Sequence, residues 1–577
     1  MTTKIRKTSA TCLLCCNIVA ASLLTACSDW TDHYDADSEL LSTQHQTLWE
    51  NIATNPSLTQ FAELLKKGGY DQVLSASQTY TVWAPADGTF DYNRLSAYSS
   101  SRLKQEFIDN HIARNNYQAL GTQPKRIYTL NEKMMNFGRN AAGQFAIQDV
   151  AISKPNVAGL NGTIHTLDGI IPFRANIYES LNNLDYPIDS VADFYHSFDE
   201  RKLDEFRSVQ GPMLNGEITY LDSIFTERND LYGLYNAYIN QEDSNYTMIV
   251  PTNEAWKKAT TQLSQYFHYL PTFEFKDYDL DRTTTITLTD IDSLTNATIK
   301  HNLMRELFYN NNIYDNKKLN NLKTGQTLNC DSLYSTTFTK LYTEDAARLF
   351  EGATRVDKSN GAFWVTDSLR VRPWSSWNPE LIIQAESHAS YTENVTTDGA
   401  QRIYVTPGTQ NPEVSGHVSN NSYLDLPPLG SSTNPKVYFR LPNVRSTTYS
   451  IYVVTVPANI TSSNFKSKPY HFNASMEYVE ETGKNTVKAA KDWTVSSTFD
   501  SDTLSVDTIY IGDFTFPVSY YGTGNYFPYL RLESRVSSSL RDTYDRNLRF
   551  DCIILRPKDL DDYLKAHPDY KYDRGNY

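Results

Sequence analysis

The segment VSYYGTGNYFPYL, residues 518–530, gathers aromatic rings around two glycines. Gly522 and Gly524 let such a loop turn and present Tyr520, Tyr521, Tyr526 and Phe527; rings of this kind stack on the apolar face of a sugar while a tyrosine hydroxyl bonds its rim. The same rings also suit the core of a β-sandwich, and the spacing leaves both readings open. Trp493, in KAAKDWTVSST, carries the same two readings. Covalent chemistry has no comparable candidate. The sequence lacks an H-E-x-x-H zinc helix, a G-x-S-x-G nucleophile elbow, a Walker phosphate loop and paired cysteine ligands. Carboxylates are plentiful, but no spacing along a chain supplies the carboxyl separation that glycoside hydrolysis requires. The expectation is a binding protein and not an enzyme.

The elements that must position these residues begin with a repeat. TYTVWAPADGTF (79–90) is answered by NYTMIVPTNEAW (245–256), FIDNHIARNNY (107–117) by TIKHNLMRELFY (298–309), and NGTIHTLDGIIPF (161–173) by NGAFWVTDSLRVR (360–372). Three matches in one order indicate a duplicated domain. In each copy the apolar run reads as a buried strand ended by Pro85 or Pro251, with a helix start at Asp87 or Asn253. The longer spacing of the second copy places an insertion within FHYLPTFEFKDYDLDRTTTITLTD (267–290). Beyond RPWSSWNPE the texture changes to short β-rich runs, such as ELIIQAES, KVYFRLPN, TYSIYVVTVPA and RFDCIILRP, separated by Pro, Gly, Asn and Ser. That pattern predicts an all-β sandwich over 380–560, followed by a polar tail, 561–577.

Two of the repeated segments resemble the hallmarks of the fasciclin-type (FAS1) fold, T-V-F-A-P-T-x-x-A-F and N-G-x-I-H-x-I-D. The resemblance implies two α+β domains, 43–175 and 176–376, in which His111, His165 and His301 are structural. The second copy keeps Thr247, Pro251, Thr252, Asn360 and Gly361 but has Phe363-Trp364 in place of Ile-His and Asp367-Ser368 in place of Asp-Gly. More loosely, the third module resembles the jelly-roll carbohydrate-binding modules, which open with an acidic strand such as IIQAES and close with one such as RFDCIIL. That resemblance implies a structural calcium at Glu386 and Asp551 and a sugar-bonding asparagine near the closing strand. Asn547 is the nearest asparagine, because Arg549 occupies the position two residues before Asp551.

The N-terminus, MTTKIRKTSATCLLCCNIVAASLLTACSDW, has a basic start and an apolar stretch too short to span a bilayer. Leu24-Thr25-Ala26-Cys27 resembles a lipobox, which implies removal of residues 1–26 and lipidation (palmitate) of Cys27. The acidic leader, 27–42, is similar to the export tag of Bacteroidota lipoproteins on the outer face of the outer membrane. Of six cysteines this leaves Cys330 and Cys552, expected as two buried thiols. A formal charge of −14, without a basic block, argues against nucleic acid or an anionic membrane surface as partner. The combination resembles the accessory lipoproteins of starch-utilisation-type uptake pairs, a transporter with its lidded lipoprotein partner. It implies a cell-surface protein that binds or positions a glycan or peptide nutrient. The alternative is an adhesin that binds host matrix or neighbouring cells through its fasciclin domains.

Overall fold

The computed structural model describes residues 44–121, 123–182, 185–214, 216–393, 399–408, 411–524 and 526–574. The expected signal segment, the expected lipidation at Cys27 and the acidic leader lie outside the described residues. The chain divides into two compact units, one running to Arg174 and adding Glu200–Arg228, the other made of Ala175–Asp199 and everything from Asn229 onward.

The first unit is built on one seven-stranded sheet. Its strands β1 (Tyr80–Pro85), β2 (Ile112–Arg114), β3 (Lys125–Tyr128), β4 (Met134–Arg139), β5 (Phe145–Ile147), β6 (Val150–Gly159) and β7 (Gly162–Leu167) lie in the order β2-β1-β7-β6-β5-β4-β3. Every residue of β1 and β7 is buried, and the two run parallel with Tyr80 opposite Gly162 and Pro85 opposite Leu167. Helices α1 (Leu48–Ala53) and α2 (Thr59–Lys67) pack Leu48, Ile52, Phe61 and Leu64 against Val82 and Ile164. No helix starts at Asp87. Gly88 takes a left-handed φ of 78° and turns the chain, so the Asp87 carboxylate instead caps α2, accepting from the Thr59 and Gln60 amides at 3.0 Å each. The next helix, α3 (Tyr92–Ser96), begins after Asp91, which accepts from the Arg94 amide. Residues 200–228 add two small ladders: β8 (Asp199–Leu203) with β11 (Phe225–Asn229), and β9 (Val209–Leu214) with β10 (Glu217–Asp222).

The Asn-Gly pair that closes the repeat is a backbone device. Asn161 accepts from the Leu48 amide at 2.8 Å and donates to the Leu74 and Ala76 carbonyls at 2.9 and 2.7 Å. Gly162 has φ 145°, and a Cβ there would lie 1.8 Å from the Tyr80 carbonyl oxygen, so only glycine fits.

The second unit opens on the other copy. It comprises α4 (Asp189–His196), β12 (Tyr246–Pro251), α5 (Asn253–Ser264), β13 (Thr272–Asp277), β14 (Arg282–Thr287), α6 (Ile291–Met304), β15 (Phe308–Asn310), β16 (Ser332–Tyr334), β17 (Lys340–Tyr342), β18 (Thr354–Lys358) and β19 (Gly361–Thr366). The order β15-β12-β19-β18 repeats β2-β1-β7-β6, with Tyr246 opposite Gly361 and Pro251 opposite Thr366. Asn360 repeats Asn161, accepting from Ile177 and donating to the Ile239 and Gln241 carbonyls. Here α5 does start at Asn253. Strand register also revises the histidine pairing. Ile112 faces Val82 and Phe308 faces Met248, so Leu307, not His301, takes the place of His111. The helix α6 runs on past His301 before the strand begins, and His301 meets the Tyr235 hydroxyl at 2.6 Å. The Ile-His divergence has a packing reason. Trp83 stacks on His165 across β1 and β7, whereas Ile249 faces Trp364 across β12 and β19, so the bulky ring has changed strands.

The insertion is the β13–β14 hairpin, with Thr272 opposite Thr287 and Asp277 opposite Arg282. The sandwich follows: β20 (Leu381–Gln384), β21 (Tyr391–Glu393), β22 (Gln401–Tyr404), β23 (Ser422–Leu426), β24 (Lys436–Arg440), β25 (Thr448–Thr455), β26 (His471–Val479), β27 (Asn485–Lys488), β28 (Phe499–Asp500), β29 (Asp507–Thr515), β30 (Tyr529–Ser534) and β31 (Leu548–Pro557). One sheet has the order β22-β23-β31-β25-β29 with β20 on β31, the other β21-β24-β30-β26-β27 with β28 on β26. Between them lie Leu424, Ile451, Val453 and Phe550 from the first and Val437, Phe439, Leu530 and Met476 from the second. The segment expected as a polar tail is folded through residue 574. Helix α7 (Lys558–Ala566) buries Leu560, and Tyr563, Tyr570 and Tyr572 gather around Trp374. Its polarity hides tyrosines whose rings bury while their hydroxyls stay bonded. Cys330 and Cys552 are buried free thiols, and burial pushes the first up to about 11.

Candidate functional site

The rings of 518–530 do not meet on one platform. Tyr520 is only 3 % exposed and its hydroxyl accepts from the Val479 amide at 2.8 Å, so it belongs to the core. Tyr521 packs on Phe267 at 5.6 Å, beneath the Arg445 guanidinium. Tyr526 sits edge-on to Phe273 and Phe275, and Phe527 to Phe275 and Tyr529. Trp493 lies away from this group, half-buried and edge-on to Phe514 at 5.3 Å. Tyr521, Tyr526 and Phe527 join the second repeat to the sandwich, the last two because the insertion hairpin supplies an apolar partner that their own loop lacks.

What the hairpin covers is a sheet face that alternation along single strands hides. Residues two apart on β24, β30 and β26 point the same way, and antiparallel register sets Arg440, Tyr529 and Glu477 on one rung, with Tyr438, Arg531 and Ser475 on the next. Thr392 of β21 stands beside Tyr438, and Lys436, Glu533 and Asn473 form a third rung. The other face of the same strands is the apolar core. Two groups on the second rung, the Arg531 Nε and the Ser475 hydroxyl, are buried without a hydrogen-bond partner. Orphaned polar groups of this kind are expensive to bury.

Glu386 and Asp551 come together on the opposite sheet, each 2 % exposed. Asp551 accepts from the Ser419 amide and hydroxyl, and the Ser419 hydroxyl also lies 2.8 Å from the Gln384 side-chain oxygen. Glu386 accepts from Ser422 at 2.8 Å through one oxygen, while its second oxygen is buried without a partner. Burial, opposed by the Ser419 bonds and assisted by the charge of Glu386, pushes Asp551 up to about 6. Two carboxylates, one of them with an orphaned oxygen, and one amide oxygen are ligand types suited to a hard cation such as calcium. Among the described residues no group of three or more His, Cys, Asp and Glu gathers to hold a metal. Asn547 donates to Asp425 at 2.9 Å beside the Arg549–Asp425 ion pair, also 2.9 Å. The imidazoles are structural in geometry. His111 is buried, holds the Phe107 carbonyl at 2.7 Å through Nδ1 and accepts from the Ile171 amide at 2.9 Å through Nε2.

Residues 56–172, within the first repeat, match the fasciclin domain family. No curated protein sequence matches the chain. Among solved structures, a FAS1 domain pair from the insect cell adhesion molecule fasciclin I is 12 % identical, covering 56 % of this chain and 99 % of that one, with a TM-score of 0.20. The C-terminal family 22 carbohydrate-binding module of Clostridium thermocellum Xyn10B is 13 % identical over 30 % of this chain and 87 % of that one, TM-score 0.19. The mannan-recognising module TmCBM27 is 10 % identical over 30 % and 94 %, TM-score 0.15. No helix among the described residues is long and apolar enough to cross a membrane.

Proposed function

We propose that this protein is a non-catalytic capture protein, held at the cell surface by a lipid on Cys27, whose sandwich binds a glycan through the outer face of the β21-β24-β30-β26-β27 sheet. The observation that carries the reading is the rung of Tyr438, Arg531 and Ser475, an aromatic ring covered by the hairpin tip beside two buried donors, the Arg531 Nε and the Ser475 hydroxyl, that lack a hydrogen-bond partner. Polyhydroxylated ligands supply acceptors at such positions and an apolar ring face for the tyrosine. The two repeats offer surfaces to protein partners. In this reading the partners are an outer-membrane transporter and its lipoprotein lid, and the protein sits in the outer membrane facing outward. A structural calcium on Glu386, Asp551 and Gln384 steadies the opposite sheet.

The test is a glycan array probed with the full chain and with Arg531→Ala/Ser475→Ala. Retention lost in the double variant, with unfolding unchanged, supports the site; retention unaltered removes it. Replacing Cys27 with Ala should release the protein from membrane fractions, and continued sedimentation with outer membranes would refute the tether.

A further inference from the structure

The tip of the β13–β14 hairpin sits on this face as a ligand would. Tyr278 lies over Tyr438 with ring centroids 4.0 Å apart and 25° between their planes, and its hydroxyl donates to Glu477. One carboxylate oxygen of Asp279 takes the Arg440 guanidinium at 2.5 Å and the other takes the Thr392 hydroxyl at 2.9 Å. Arg440 is fixed independently of the hairpin, since its Nη1 donates to the carbonyls of His388, Ala389 and Tyr391 at 3.2, 3.0 and 2.9 Å. The face therefore presents a ring platform, a carboxylate acceptor and a pre-set cation. The hairpin answers each in turn with a ring, a hydroxyl and a carboxylate.

A uronic acid carries those three groups within one sugar residue, whereas a neutral hexose has no charge to offer Arg440. The next rungs continue with Arg531, Ser475, Glu533 and Asn473, polar groups that suit a further hydroxylated residue and make no apolar pocket for a peptide side chain. We propose that the face is a site for acidic, uronate-bearing glycans, and that Tyr278 and Asp279 occupy it in cis as a stand-in for the sugar. This rests on the reading of the sandwich as a glycan binder and adds the ligand class and its regulation. Phe273 and Phe275 anchor the shaft through Tyr526 and Phe527, so the tip alone needs to lift. Asp279, Leu280 and Asp281 at the tip are exposed, and β14 is solvent-facing except at Ile286. A tethered occupant competes at high effective concentration, so glycan binding is weak until the tip is displaced.

The experiment compares the full chain with Tyr278→Ala/Asp279→Ala, using polygalacturonate and fully methyl-esterified pectin as probes. The double variant should gain at least about tenfold in affinity for polygalacturonate only, and a third change, Arg440→Ala, should abolish the gain. Asp279→Asn, which keeps the tyrosine stacked, should give a partial gain and guards against misfolding of the double variant. Equal gains for both polysaccharides would overturn the acidic class. Capture of a synthetic 272–287 peptide, with no gain for either polysaccharide, would make the face a peptide site and overturn the proposal. No gain from any probe, while Arg531-dependent retention on the array persists, would overturn the cis occupant yet leave the proposed function standing.

Discussion

Single backbone positions decide whether each repeat can close. At Gly361, φ is 142° and a Cβ would lie 1.8 Å from the Tyr246 carbonyl oxygen, deep inside contact distance. Gly361→Ala should therefore cost about 3 kcal/mol or more, beyond the ordinary cost of a positive-φ alanine, read as a lowered denaturant midpoint. Buried titratable groups give pH dependences of opposite sign. Asp551 has a folded value of about 6, above its ordinary 3.8, so the fold prefers its protonated form. Its contribution, about 3 kcal/mol at the limit, is full below pH ~4 and lost as pH rises through 6. The proposed calcium would require the charged form, so with it bound a chelator should lower the melting temperature most above pH 6 and have no effect on Asp551→Asn. His111 has a folded value of about 4, below its ordinary 6.5, because burial disfavours the imidazolium. Its contribution is full above 6.5 and is lost as pH falls toward 4, and His111→Gln should flatten that acid limb in pH-dependent denaturation.

At the scale of elements, what the sequence makes legible is what the local backbone demands. Strands ended by Pro85 and Pro251, and the Asn-Gly closures, recur because each copy needs the same break and the same left-handed glycine. The insertion was legible by length. Its alternation of Phe273 and Phe275 marks a strand with one apolar side, but which surface that side covers is a tertiary fact, and it is why Tyr526 and Phe527 face a hairpin and not solvent. Tyr438, Arg440, Glu477 and Arg531 come from three strands, so only register unites them. Their individual strands read simply as apolar-in, polar-out. Phe275 is the hinge of this packing, touching Tyr526, Phe527 and Tyr529. Phe275→Ala should cost about 3 kcal/mol and raise hydrogen exchange across 518–530, while amides of β25 and β31 keep their protection.

Three joints stand out among those that connect repeat and sandwich in the described residues of the second unit. The hairpin is one. The linker is another: buried Arg445 donates to the Trp377 carbonyl at 2.9 Å, and the Tyr449 hydroxyl to Asn378 at 3.0 Å. The C-terminal segment is the third. Tyr570 donates to Asp345 at 2.6 Å and receives the Trp374 indole at 3.0 Å, Arg372 lies over Tyr563 at 4.2 Å, and Asp561 on α7 takes the Tyr452 hydroxyl at 2.7 Å. Joints of this kind make one cooperative body where a flexible linker would give independent domains. Ending the chain after Pro557 removes α7 and the three tyrosines, exposes Trp374 and leaves Asp345 without its tyrosine donor. In the truncated chain the second unit's transition should come at least about 5 °C lower and split into two resolved calorimetric steps, where the full chain shows one step for that unit. A single unshifted transition would mean that hairpin and linker suffice; two steps would show that the tail locks the sandwich to its support, a rigidity that lets a cis occupant on a hairpin from one module meet its face on the other reproducibly.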